Sequence, residues 1–129
     1  MGVTYPEKCK LEPLKPDFTV CKVTDYSGID IDQPFVFTGR TDTEKSLVCP
    51  TEMTPGNAIS RENGWKAFRI CGKLDFSLIG ILAEITKVLA KKKIGVFAVS
   101  TFDTDYVLTK SEDFRAALNA LQDAGWAIL

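Results

Sequence analysis

Apolar residues at Leu78, Ile81, Leu82, Ile85 and Leu89 fall at spacings 0, 3, 4, 7 and 11, which is one stripe along a helix. Asp75 or Ser77 is placed to cap its start, and Lys91, Lys92 and Lys93 suit the negative end of its dipole. Upstream, Trp65 to Ile70 reads as a strand ended by Gly72; downstream, Ile94 to Thr101 is apolar and β-branched, as a buried strand requires. Phe102-Asp103-Thr104 then forms a tight turn and Tyr106 to Thr109 the returning strand. Ser111 caps a second helix with Glu112 and Asp113 in its first turn and Phe114, Ala117, Leu118 and Leu121 on its buried face. Gly125 ends that helix, and Trp126 to Leu129 closes as a short strand.

The order β-α-β-β-α-β is the ferredoxin-like split plan, an α+β arrangement with both helices on one face of an antiparallel sheet. The first half reads differently. Strands are expected over Lys8–Leu14, Phe18–Val23, Phe35–Gly39 and Ser46–Cys49, and the segment between Val23 and Phe35 is too turn-rich for a helix. The pattern therefore divides the chain into an abbreviated strand-rich unit, residues 1–60, and a complete unit, residues 61–129. Thr51 to Gly64 is the connection between them. Neither is large enough to be comfortable alone.

Composition narrows the chemistry. The chain has 129 residues, 45% of them hydrophobic, 26% charged, and a formal charge of −1. It lacks the basic excess of a general phosphate-backbone binder, so no nucleic-acid partner is expected. It has no histidine, which removes the usual neutral-pH general base and the commonest metal ligand. Serine–histidine and cysteine–histidine nucleophile systems go with it. The cysteines Cys9, Cys21, Cys49 and Cys71 stand 12, 28 and 22 positions apart, without a CxxC pair. Three of the four sit in apolar stretches and read as small buried hydrophobes in a reducing compartment. The first fifteen residues hold no apolar signal region, and nothing approaches the roughly 20 apolar residues of a bilayer span. A cytoplasmic protein with no membrane partner is expected.

The βαββαβ plan hosts many functions, so the site must decide. Tyr106-Val107-Leu108-Thr109 lacks the stacking aromatics of RNA-recognition domains, the cysteine spacing excludes ferredoxins, and the loop after the first strand carries Asp75 where an acylphosphatase-like cradle needs arginine.

Gly72 to Ala83, Gly-Lys-Leu-Asp-Phe-Ser-Leu-Ile-Gly-Ile-Leu-Ala, resembles the loop and helix start of one subfamily of ACT domains. Phe97 to Leu108 is similar to that subfamily's second signature, a Ser-Thr-aromatic-x-Thr-Asp-Tyr hairpin. Glu44 to Pro50 and Gly64-Trp65 resemble it as well. The subfamily includes the paired units of cytosolic arginine sensors, with the aspartate kinase regulatory pairs as relatives. The sequence departs from it at Lys93, where glycine is usual and a left-handed backbone is expected, and at Thr109, where valine or a similar residue is usual.

The resemblance implies a non-catalytic regulatory module that binds a small effector, in the first instance an amino acid, by shifting an arrangement of units or subunits. It implies no cofactor and no metal. The effector site lies around the loop after the first strand. There, beside Asp75, the N–H groups of Phe76, Ser77 and Leu78 stand at a helix start suited to a carboxylate, the Ser77 hydroxyl adds a hydrogen bond, and Gly80 permits close approach. An ammonium group then calls for an acid, Asp103 or Asp105. Asp105 is favoured, since strands disfavour aspartate. Thr101 and Thr104 offer hydroxyls, and Val48 and Cys49 of the first unit face the same crevice as an exposed edge. Plainer roles compete for several of these residues: Asp75 and Ser77 as caps, Asp103 and Thr104 as turn formers, Phe76 and Tyr106 as core aromatics. Exposed sheet edges imply a homodimer. The alternative function is a structural or oligomerisation module with a vestigial pocket.

Overall fold

Strand β1, Lys10–Pro13, has a single fully buried side chain, Leu11, and that residue packs with the helices far along the chain. The computed structural model describes residues 10–71 and 80–129. Its further elements are β2 (Phe18–Val23), β3 (Phe37–Arg40), β4 (Lys45–Pro50), a 3₁₀ turn (Thr51–Met53), β5 (Ala58–Ile70), α1 (Ile81–Lys91), β6 (Phe97–Ser100), β7 (Asp105–Lys110), α2 (Ser111–Asp123) and β8 (Ala127–Ile128). Two compact units emerge, one of residues 16–65 and one of residues 1–15 with 66–129. No helix among the described residues is long and apolar enough to cross a membrane.

The larger unit holds the C-terminal half of β5, then α1, β6, β7, α2 and β8, which is a mixed α+β, ferredoxin-like order. Its strands run β6-β7-β5-β1-β8. In the plain ferredoxin-like sheet the fourth strand would lie directly against the first; here β1 stands between them. It pairs antiparallel with β5 (Leu11 with Ile70, Glu12 with Arg69) and parallel with β8 (Lys10 with Ala127). Phe68, Ile70, Leu11 and Val107 from the sheet pack with Ile85 and Leu89 of α1 and Phe114, Leu118 and Leu121 of α2. Seven of these nine are fully buried, and burial of each Leu, Ile or Phe side chain contributes about 1.5–3 kcal/mol.

The expected helices and hairpin are all present, with local differences. Ser111 is the first residue of α2 rather than its cap, since Lys110 takes the capping position without a side-chain bond. Glu112 and Asp113 occupy the first turn as anticipated. Gly125 ends α2 at φ 103°, and Lys93 is left-handed at φ 60°. The loop with Asp75, Phe76, Ser77 and Leu78 lies outside the described residues.

The smaller unit orders its strands β3-β4-β2-β5, every neighbour antiparallel. That is again the fourth-first-third-second sequence of a ferredoxin-like sheet, with loops where both helices would be. Cys21, Val23, Leu47 and Cys49 form its core, closed over by Tyr26, Ile29, Val36, Met53 and Ala58. Pairing with β2, from Ala58 opposite Val23 to Trp65 opposite Phe18, draws residues 58–64 into a strand that their polar sequence does not announce. The division anticipated at residue 60 therefore falls inside β5, five residues before the observed break. A register shift in that pairing coincides with Gly64 at φ 83°, a conformation glycine adopts without strain.

Candidate functional site

An open cleft of about 380 Å³ lies in the larger unit, where β5 ends and the β6–β7 hairpin turns. It is lined by Glu12, Arg69, Ile70, Cys71, Asp103, Thr104 and Tyr106. Strand periodicity explains the selection. Leu11, Phe68, Ile70 and Val107 turn toward the helices, so Glu12, Arg69, Cys71 and Tyr106 emerge on the opposite face of the sheet.

Arg69 is the centre of the site. It stands directly across the strands from Glu12, and its Nε donates to Glu12 Oε1 at 2.9 Å. Both side chains keep about a third of their surface, 35% and 39%. A hydrogen bond to Tyr106 and then the bond to Glu12 hold the guanidinium charged, pushing its pKa above its ordinary value. A guanidinium presents its five N–H donors in a fixed planar fork. The Cys71 thiol lies 3.8 Å from Glu12 Oε1, and burial followed by that negative charge raises its pKa. It is a poor nucleophile at neutral pH.

The hairpin is stitched to this site by its own hydroxyls. Thr104 Oγ1 donates to the Ile70 carbonyl at 2.6 Å. Thr101 donates both its N–H and its hydroxyl to the Thr104 carbonyl at 2.8 Å. Thr101 and Thr104 thus fix the turn that presents Asp103. Among the described residues, no group of three or more His, Cys, Asp or Glu side chains is arranged to hold a metal ion.

The sequence-derived set is divided by the structure. Asp103 and Thr104 line the cleft. Asp105, the first residue of β7 and opposite Ser100, alternates to the helix-bearing face and is half-buried. Gly80 is the left-handed residue (φ 88°) that opens α1, where its carbonyl accepts the Glu84 N–H at 2.9 Å. Val48 and Cys49 are buried side chains of β4, which β2 and β3 flank, so they form no exposed edge. Burial is also the leading cause that pushes the Cys49 thiol up. Glu12, Arg69, Cys71 and Tyr106 were not selected from the sequence as ligand contacts. The available signal was the opposite charge of Glu12 and Arg69 on two strand-like runs, but it becomes legible only once those runs are known to pair.

A family model for the ACT domain matches residues 60–123. A solved protein of Agobacterium tumefaciens is 30% identical, with 94% of this chain and 92% of that one aligned at a TM-score of 0.83. A Vibrio cholerae protein described as a possible transport protein is 18% identical over 91% of this chain and 90% of its own, at a TM-score of 0.71. The fold recurs in the ligand-free regulatory subunit of aspartate kinase from Thermus thermophilus, at 14% identity, 89% and 96% coverage and a TM-score of 0.61. The motif order, the sheet topology and these matches agree: the chain belongs to the ACT domain family.

Proposed function

We propose that this protein is a non-catalytic regulatory module, working as a homodimer, that binds a small amino-acid effector at the cleft of its larger unit. The observation that carries the reading is the charge arrangement there. A tethered, permanently charged guanidinium at Arg69 faces Asp103 on a turn locked by Thr101 and Thr104. Arg69 supplies forked donors for a carboxylate, and Asp103 with Glu12 supplies acceptors for an ammonium group. Membership of the ACT family and the resemblance to an aspartate kinase regulatory subunit support the regulatory role. Binding shifts the balance between two arrangements only as far as the effector prefers one of them. The smaller unit is the helix-less counterpart of an ACT domain, which its strand order supports.

Thermal unfolding against a panel of amino acids, nucleotides and simple metabolites tests this. An effector at a hundred times its dissociation constant adds about 2.7 kcal/mol of stability. In a chain of this size the midpoint then rises by roughly 5 to 15 °C. Arg69→Ala is expected to abolish the shift and Asp105→Ala to leave most of it. The reverse pattern would move the effector to the helix-bearing face. A flat panel would favour the structural module.

A further inference from the structure

The irregularity of β5 falls on Asn63-Gly64, the only Asn-Gly pair in the chain. Phe18 stands opposite Trp65 but Val20 opposite Glu62, so Asn63 and Gly64 together face the single residue Thr19 of β2. Thr19 is fully buried, whereas Arg61, Asn63 and Gly64 are exposed to water.

The side-chain carbonyl of Asn63 is crowded with donors. The Thr19 hydroxyl donates to Oδ1 at 2.8 Å, and Thr51 Oγ1 lies 3.0 Å from that hydroxyl. Arg61 donates to the same oxygen from Nη2 at 2.9 Å and from Nε at 3.1 Å. Donors gathered on one carbonyl oxygen draw electrons from its carbon and stabilise negative charge arriving on the oxygen. The residue that follows has no Cβ to shield its nitrogen. Asn57, in the same unit, is set up in the opposite way. Its Nδ2 is held by Thr24 and Asp25, its Oδ1 is buried without a donor among the described residues, and Ala58 follows it.

We propose that Asn63 is a self-modifying site, converted by water to a carboxylate through a cyclic imide, with Thr19 and Arg61 as its oxyanion donors. The Gly64 amide nitrogen gives its proton to hydroxide and bonds to Asn63 Cγ, while the charge gathers on Oδ1. Collapse breaks the Cγ–Nδ2 bond and releases ammonia, its added proton taken from water. A second water opens the imide at one of its two carbonyls, leaving aspartate or isoaspartate. The net change is amide plus water to carboxylate plus ammonium, with nothing oxidised or reduced. The two products act differently on the fold. Aspartate keeps the Thr19 bond and turns the Arg61 contact into an ion pair. Isoaspartate adds a main-chain atom where β5 already carries one residue more than β2, which loosens their pairing.

Incubation of the folded chain in heavy-oxygen water, followed by tryptic digestion and tandem mass spectrometry, tests this at each asparagine separately. Heavy oxygen is expected to enter Asn63 about tenfold faster than Asn57 or Asn119, and faster still as pH rises. An isoaspartyl methyltransferase used as a reagent is expected to label the same position. Thr19→Val is expected to slow the reaction about tenfold and Arg61→Gln about threefold, as loss of a hydrogen bond to the developing charge predicts. Arg61 is exposed, so its variant keeps the test open if Thr19→Val misfolds. Incorporation at Asn63 no faster than at Asn57 and Asn119 would overturn the site. Fast incorporation that neither substitution slows would overturn the role of the two donors, and a rate indifferent to pH would overturn the imide route.

Discussion

The two units follow one strand order and close their cores by different means. In the larger, α1 and α2 roof one face of the sheet, and a continuous apolar cluster runs from Leu11 to Trp126. In the smaller, four buried residues are closed over by loop and strand side chains, and polar contacts complete the closure. Asn57 Nδ2 donates to Thr24 Oγ1, the Asp25 carbonyl and Asp25 Oδ1 at 3.0, 3.1 and 3.2 Å. Tyr26 donates its hydroxyl to the Ser46 carbonyl at 3.0 Å. The sheet is thus the minimum that defines this architecture, and helices and pinned loops are two ways of keeping water from its apolar face.

If that contrast is sound, cavities should cost unequal amounts. Leu89→Ala beneath the helical roof is expected to lose about 3–4 kcal/mol, because helix backbones collapse poorly onto a void, and Leu47→Ala nearer 2 kcal/mol, because loops can settle. Chemical denaturation of both variants measures the pair, and equal losses would erase the distinction. Next in size, Asn57→Ala removes the pins on residues 24 and 25 and is expected to cost about 1–2 kcal/mol, with hydrogen exchange rising first in the smaller unit.

The smallest effect is expected at Asp25. Bonds from the Ser27 hydroxyl and then the Ser27 N–H lower its pKa, with Asn57 and Lys45 adding to the effect. A depressed folded-state value means a contribution that is present above the unfolded-state value, about 3.9, and lost as pH falls through the lower folded value. The difference in Tm between wild type and Asp25→Asn should therefore be small at pH 7 and vanish in strong acid. A difference that grows on acidification would contradict the assignment.

Where side chains alternate or recur regularly, the sequence was readable. The stripe from Ile81 to Leu89 and the hairpin at Phe102 stand where their pattern puts them. The run after Lys93, expected as a buried strand over Ile94 to Thr101, is instead the short strand Phe97–Ser100 with none of its residues buried. An apolar composition does not reveal that a strand lies at a sheet edge. Polar residues 58–64 were not readable as strand, because what holds them there is the partner strand β2. The site divides in the same way. Asp103 and Thr104 announce a turn locally, whereas the role of Glu12 depends on a strand pairing across 57 residues of chain. Thr101 and Thr104 carried the right chemistry for a ligand, but their hydroxyls are committed to backbone carbonyls.

The place of β1 between β5 and β8 also governs how the protein can be made. Leu11 accepts a hydrogen bond from the Leu129 N–H at 2.9 Å and shares a core with residues translated more than a hundred positions later. On the ribosome, residues 16–65 can complete their sheet while the rest is still being added, since every strand they need is already out. The larger unit must hold Leu11 in waiting until β8 emerges. Strand β1 and its one core side chain are therefore left unpaired for nearly the whole of synthesis, the interval in which a chaperone or a neighbouring nascent chain can reach them.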